Sequence, residues 1–269
     1  MSEKKQLSIL EFSRLTGIKR DSLRFYDQIG LLKPEIRGAN DYRYYTRRQL
    51  SSAYLIGSLR LLGVGLKDIK EYSEDRTPEK MLGLFEEQEA RIQAEMARLR
   101  ETSEIMNQYA EMAQEALNHK ENEFELRLKE RKRERIFLCP PVSPSMNADE
   151  GEIFAYEYAN SHGINLGHPL GVMITRENLF SGEKNPEYQY YLRTGKKGNA
   201  WKPDGLYAVA YGRNGGQEAD VFYLRLLDYI RAQDLEPIGG AYFEFLLDEI
   251  AVQNPEEYFG RIEIPVKRR

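Results

Sequence analysis

Apolar positions recur at helical spacing through the first 72 residues, and short breaks divide them into small elements. Ser8-Ile9-Leu10-Glu11 fits a capping box, Phe12 and Leu15 continue its apolar face, and Gly17 stops the helix. A second helix is predicted from about Lys19 to Gly30. A turn at Gly38–Ala39–Asn40 then leads into a strand, Tyr42-Arg43-Tyr44-Tyr45. Thr46-Arg47-Arg48-Gln49 fits a second capping box, for a helix running to Gly63. The Gly63-Val64-Gly65 turn feeds another helix from about Leu66 to Tyr72. The pattern then changes. From Pro78 to Glu121 there is no further proline and one glycine, Gly83, among dense charge and good helix formers. That stretch predicts one helix of roughly 65 Å. Phe85, Ile92, Leu99, Met106 and Ala113 form an apolar column at spacing seven. The companion column, Met81, Gln88, Glu95, Thr102 and Tyr109, is mixed. This is a coiled coil of modest strength, or a long helix packed on its own chain. A free rod has nothing to bury its stripe against, which favours a partner helix.

Beyond Phe124 a highly charged hinge runs to Arg135, and Arg135-Ile136-Phe137-Leu138-Cys139 reads as a strand ended by Pro140-Pro141. Residues 150–159 read as a helix, 169–174 as a strand, 201–211 as containing a strand, and 219–233 as a second helix. Ala241 to Leu247 and Gly260 to Val266 are the closing strands. The order predicts an α+β domain with helices on one face of an antiparallel sheet. Three regions follow: a head at 1–76, a coiled-coil helix at 77–124 and a C-terminal domain at 125–269.

Charge sharpens the division. The head carries 15 Lys+Arg against 10 Asp+Glu, net +5, and the rest carries 24 against 33, net −9. A basic head on an acidic body suits a nucleic-acid-binding module joined to a part with another task. One cysteine, Cys139, excludes an internal disulfide and argues against a thiolate metal sensor; no cofactor is expected. The amino terminus lacks an apolar core, and no run of about 18 apolar residues occurs, so a soluble cytoplasmic protein is expected.

Within the head, Leu23-Arg24-Phe25-Tyr26 is followed by Tyr42-Arg43-Tyr44-Tyr45. Arginine interleaved with tyrosine on a helix and then on a hairpin suits a phosphate-gripping surface. Singly, each is equally a solvated charge or an ordinary strand residue. The two-helix unit before them, basic at the start of its second helix, has the geometry that lays a helix in a major groove.

Residues 8–72 resemble the DNA-binding domain of the MerR family of transcription regulators. Leu23-Arg24-Phe25-Tyr26-Asp27, Gly30-Leu31-Leu32, Tyr42-Arg43-Tyr44-Tyr45 and Leu59-Arg60-Leu61-Leu62-Gly63 carry the resemblance. Phe25 stands where many members have tyrosine, so no hydroxyl is available there. The resemblance implies a winged helix-turn-helix, with Arg43 and Arg60 on phosphate and Lys19, Arg20 and Tyr26 nearer the groove. Arg24 and Tyr44 complete the expected surface. It also implies an antiparallel homodimer on a pseudo-palindromic promoter operator. There, distortion of an overlong spacer would realign the promoter for RNA polymerase.

Residues 135–269 more loosely resemble the effector domain called GyrI-like, and the whole chain is most similar to the BmrR type of multidrug-sensing regulator. The closing segments Ala241-Tyr242-Phe243-Glu244-Phe245-Leu246-Leu247 and Arg261-Ile262-Glu263-Ile264-Pro265-Val266 carry this second resemblance. Glu244 matches a glutamate at the base of the drug pocket, although a solvated edge strand would show the same alternation. Tyr156, Tyr188 and Tyr211 fall near pocket positions, with Tyr158 and Tyr190 as rivals. Trp201, the only tryptophan, joins them among a dense set of aromatics that equally suits a core. A carboxylate ringed by aromatics implies a lipophilic, cationic small-molecule effector. Two alternatives stay open. A hydrolase is weakly supported, because His162 and His168 flank a glycine-containing loop with no nucleophile motif. A cyclic-dinucleotide sensor would need a basic site in an acidic domain.

Overall fold

The computed structural model describes residues 6–119, 124–143, 145–181, 186–213 and 219–269. The chain divides into two compact units, Met1–Leu99 and Arg100–Arg269.

In the first unit, β1 (Leu7–Ser8) leads into α1 (Ile9–Thr16) and α2 (Arg20–Gln28). Next come β2 (Ile36–Arg37), β3 (Arg43–Tyr45), α3 (Arg48–Leu61) and α4 (Leu66–Glu74). The expected capping box forms at Ser8, whose side chain accepts from the Glu11 N–H while Glu11 accepts from the Ser8 N–H. Gly17 closes α1 at φ +73°, a left-handed conformation that glycine adopts without strain. The second box does not form. Arg47 is the cap of α3, without a side-chain bond; Thr46 donates its N–H to the Gln49 side chain and accepts the Gln49 N–H at its carbonyl, but its hydroxyl does not cap. The reason lies in Gln49, whose side chain also receives the Glu35 N–H and donates to the Lys33 carbonyl, tying α3 to the preceding loop. Three short strands make a sheet in the order β1-β3-β2. One core holds the unit, with Phe12 stacked on Tyr45 at 4.3 Å and Leu23, Ile56 and Ile69 buried beside them.

Helix α5 (Pro78–His119) is continuous across the division of the chain. Its early residue Leu84 packs on the core of the first unit. Its late residues Met112 and Ala116 are buried in the second.

The second unit follows with β4 (Phe124–Arg131), β5 (Glu134–Pro141), α6 (Ala148–Ser161), β6 (Leu170–Ile174), α7 (Arg176–Leu179), β7 (Gln189–Leu192) and β8 (Ala200–Lys202). It closes with β9 (Gly205–Arg213), α8 (Ala219–Ala232), β10 (Leu235–Pro237), β11 (Ala241–Leu247) and β12 (Phe259–Arg268). The sheet is antiparallel, in the order β4-β9-β12-β11-β6-β7-β5-β8, with β10 alongside β12. Two sequence readings are corrected here. The charged hinge at 124–135 is largely a strand, β4, fully paired with β9. Its period is two: Phe124 and Leu126 pack on one face while Glu125, Arg127, Lys129 and Arg131 occupy the other. Strand β5 also continues through Pro140 and Pro141.

Alternation sorts the sheet into two faces. Ala208, Ala210, Ile262 and Ile264 meet α8, and Phe137, Cys139, Tyr190 and Leu192 meet α6. These two helices therefore share one face, as the element order implied. The opposite face, with Tyr191, Tyr207, Tyr211 and Tyr242, receives the last turns of α5.

Candidate functional site

Two sites emerge, one in each unit. In the first, Lys19, Arg20 and Arg24 are exposed at the start and along one side of α2, beside an exposed Phe25. Arg24 makes an exposed ion pair with Asp21 at 3.0 Å, which contributes little to stability. Arg43 and Arg37, on the β2–β3 hairpin, both bond the buried carboxylate of Asp27 on α2, at 2.7 and 2.6 Å. Asp27 thereby fastens the wing to the helix, a role that sequence reasoning did not assign. It engages Arg43 through Nε. Arg60 is exposed and donates to the Val64 carbonyl at 2.8 Å. Tyr44 is half-buried, its ring 5.3 Å from that of Tyr42. Tyr26 differs from expectation: it is 9% exposed and belongs to the core, where burial of its ring anchors α2.

The second site is built by strand register. Across β9, β12 and β11, Tyr211, Arg261 and Glu244 are direct neighbours, and the row continues through Gly171 on β6 to Tyr191 on β7. All share the face that meets α5. Gly171 matters because a Cβ there would lie 2.4 Å from the Tyr191 ring. Its absence lets Tyr191 lean across β6 and donate to Glu244 at 2.7 Å. Gly171→Ala should therefore push Tyr191 aside and destabilise this unit by about 1–3 kcal/mol, measurable by denaturant unfolding.

Glu244 is 1% exposed and lies on an interior strand, so the solvated-edge alternative is ruled out. Its charge is answered inside the protein. Arg261 Nη2 donates to it, and Arg193 Nε stands 4.0 Å away. Burial opposes its ionisation, but Lys202, Arg261 and Arg193 outweigh that and hold the carboxyl well below the usual range. Glu263, in the next row, pairs with Lys202 and with Arg131. Beside this network lies a cavity of about 200 Å³, which Arg261 and Glu263 line and Glu244 does not. Strand residues Arg131, Glu134, Lys202, Arg261 and Glu263 line it, with Lys132 and Arg193 from flanking turns and Glu111, Met112 and Glu115 from α5.

Glu115 is the centre of this arrangement. Its Oε2 accepts from Arg261, and its Oε1 from Tyr211, from Lys129 at 3.1 Å and from Arg131 at 3.1 Å. Burial alone would raise its pKa, but Arg261 and Arg131, the Tyr211 hydroxyl and Lys129 lower it to about 2. The sign of the consequence follows. A carboxyl whose folded value lies below its ordinary 4.5 stabilises the fold above that pH. The contribution is lost as pH falls towards about 2, and amounts to roughly 3 kcal/mol. Urea unfolding followed by Trp201 fluorescence should therefore show the second unit weakening below about pH 4.5. A flat profile down to about pH 3 would remove Glu115 from the ionised network.

Of the residues expected to meet a ligand, the fold brings Glu244 and Tyr211 to one face and separates the others. Tyr188 and its rival Tyr190 lie on the α6 face. Tyr158 also packs there. Trp201 is 53% exposed on β8, with Arg133 and Arg135 over its ring. Tyr156 sits on α6, and burial and the charge of Glu152 push its pKa up to about 12. His168 bonds Gln108 of α5, and His162 packs on Phe137 and Tyr158. The cavity residues that sequence reasoning passed over are Glu115, Arg131, Lys202, Arg261 and Glu263. For Arg261 and Glu263 the signal was the alternation in Arg261-Ile262-Glu263-Ile264, which reads equally as a solvated face.

Together these features define a basic helix-turn-helix head joined by one helix to a domain with a charged internal cavity. The MerR HTH family regulatory protein model matches residues 7–75. The multidrug-efflux transporter 2 regulator of Bacillus subtilis (strain 168) is 30% identical over an alignment of 279 residues, covering 99% of both chains. The multidrug-efflux transporter 1 regulator of the same organism is 37% identical over 90 residues, about a third of each chain. A solved structure of an EcmrR–DNA complex in EcmrR-RPo covers 97% of this chain and all of that one, at 17% identity and TM-score 0.45. The chain belongs to the MerR family of transcription regulators. Among the described residues no helix is long and apolar enough to cross a membrane.

Proposed function

We propose that the protein is a ligand-responsive regulator that binds a promoter operator as a homodimer. Occupation of the cavity by a small molecule alters the shape of that DNA for RNA polymerase. The observation that supports this most is the course of α5. One helix packs against the head core at Leu84 and supplies Met112 and Glu115 to the cavity. The full-length likeness to a multidrug-efflux regulator agrees with an effector role for the second unit. Bending or untwisting DNA costs several kcal/mol, which protein–phosphate contacts must offset.

The DNA surface follows from Lys19, Arg20, Arg24, Arg43, Tyr44 and Arg60, with Tyr26 acting from the core. Arg43→Ala should lower affinity similarly on all sequences and reduce the slope of log affinity against log salt by about one. An unchanged slope would place Arg43 off the DNA.

The effector's charge is the finer question. A lipophilic cation bound at Glu244 would have to take that carboxylate from Arg261 and Tyr191. Tyr211 reaches the cavity only through its bond to Glu115, and Tyr156, Tyr188 and Trp201 are not part of its lining. An anion would have to take Arg261 from Glu115. The function itself is tested by selecting bound duplexes from a random pool and measuring their bend by gel mobility. We expect a pseudo-palindrome protected over two half-sites. Binding of one protomer to one half-site, with no change in DNA shape on adding any ligand that raises the melting temperature, would refute it.

A further inference from the structure

We infer that Glu115 is the resident occupant of an anion site, and that the effector is an aromatic molecule bearing a carboxylate or similar anionic group that displaces it. This rests on the reading of the cavity as the effector site.

The sheet's own acids, Glu244 and Glu263, have almost no exposure, and each is matched by a cation. Around Glu115 the Arg131 and Lys129 side chains remain 23% and 29% exposed, and the cavity also carries Glu134, 28% exposed, and the exposed Glu111. What singles out Glu115 is that Arg261, Arg131, Lys129 and Tyr211 all donate to its one carboxylate, a ready-made anion cradle. A cation seated on Glu244 or Glu263 would have to remove guanidinium or ammonium groups from fully buried carboxylates, leaving each displaced group without a partner. An anion replaces one carboxylate by another and keeps every charge answered.

The second point is origin. Glu115 is carried by α5, whereas Arg261, Arg131, Lys129 and Tyr211 are carried by the sheet. The occupant can leave without breaking a strand pairing. The third point is an unfilled valence. Arg261 is 5% exposed, and its Nε–H has no hydrogen-bond acceptor; the nearest carboxylate, Glu263, is 3.5 Å away. Burying such a donor unpaired is costly, and the Arg261 side chain that carries it lines a cavity of about 200 Å³, so a head group that displaces Glu115 meets a guanidinium whose hydrogen-bonding capacity is not fully used. The aromatic body follows from the neighbouring surface. Tyr211 is stacked between His119 at 4.1 Å and Phe259 at 6.4 Å. His119 stands one turn beyond Glu115 on α5, so release of Glu115 and His119 opens an aromatic face beside the anion site. Because α5 is continuous with the part that packs on the head core, the ligand acts by exchanging the partner of one helical side chain.

The test uses the full-length protein and three probes: 2-naphthoate, the neutral 2-naphthalenemethanol and tetraphenylphosphonium. Affinities are read by calorimetry at neutral pH and moderate salt, and the Trp201 transition confirms that each variant folds. We expect 2-naphthoate to bind more tightly than its neutral analogue. Glu115→Gln, which removes the internal competitor and keeps its size, should tighten 2-naphthoate by about tenfold. Lys129→Met should weaken it, and both substitutions should change the affinity of 2-naphthoate more than that of the neutral probe. If Glu115→Gln weakens or does not alter 2-naphthoate binding, the inference is wrong. If tetraphenylphosphonium binds and is weakened by Glu115→Gln, the cavity is an effector site for cations. The broader reading then stands while this inference falls. If no probe binds either protein in a way that any cavity substitution changes, both fall together.

Discussion

Replacing Ile92 and Leu99 together by aspartate should convert the protein to monomers and cut operator affinity by about 10²–10⁴-fold. The expectation began with the heptad column from Phe85 to Ala113, and the structure adds the exposure that makes it physical. Leu82, Phe85, Leu99 and Met106 are 58%, 44%, 54% and 67% exposed along α5. Apolar side chains repeated along a long helix are stable in water only when another surface covers them. In the proposed homodimer a second copy of the same helix would supply the matching seam at the same spacing. Two buried aspartates in that seam would face each other across the partner with no cation to answer them. The loss of DNA binding follows from valence. Each head then meets one half-site alone and forfeits the effective concentration that joining the two heads provides. Light scattering and an operator titration measure both effects. A double variant that remains dimeric at micromolar concentration would overturn the seam.

The second large effect is expected at Arg261. Arg261→Met should destabilise the second unit by about 3–5 kcal/mol near neutral pH, because it leaves buried carboxylates without the cation they share. Arg261 bonds Glu115 and Glu244 and stands 3.5 Å from Glu263. Methionine fills much of the volume, so packing loss is the smaller part. The pH dependence identifies the cause. All three carboxyls are held below their ordinary range in the intact network, so they are ionised at neutral pH and repel one another once Arg261 is gone. As pH falls they protonate, and the gap between variant and wild type should narrow. Glu244→Gln should cost less, since Arg261 keeps Glu115 and Glu263. Urea unfolding followed by Trp201 fluorescence, across a pH series, gives the comparison. A penalty independent of pH would make Arg261 a packing residue rather than the hub of a charge network.

The head was legible because its information is local. Caps, left-handed glycines and a compact apolar period act within a few residues of each other, and they predicted α1 and α2 to within two residues. Tyr26 is buried, which its sequence did not show, because an aromatic between two arginine-bearing stretches has the same signature whether it faces DNA or a core. The capping box at Thr46 failed because Gln49 is claimed by the Lys33 and Glu35 backbone, contacts made across a loop.

In the C-terminal part, alternation located the Ala241–Leu247 strand to the residue, and the resemblance singled out Glu244. A charged β4 was mistaken for a hinge because strand propensity and polarity pull in opposite directions there. What the sequence by itself determined is therefore the order of elements, the basic head, the long helix and the strand that carries Glu244. Only the tertiary structure decided what answers that acid. Alternation says that two residues share a face, but it does not say whether that face meets water, a helix or other charges. Arg261 opposite Glu244 depends on the register of two strands, and Tyr191 reaches Glu244 only across the glycine on a third. Glu115 comes from a helix whose docking no local pattern encodes. Coulomb energy depends on distance through space, and a sequence states only distance along the chain.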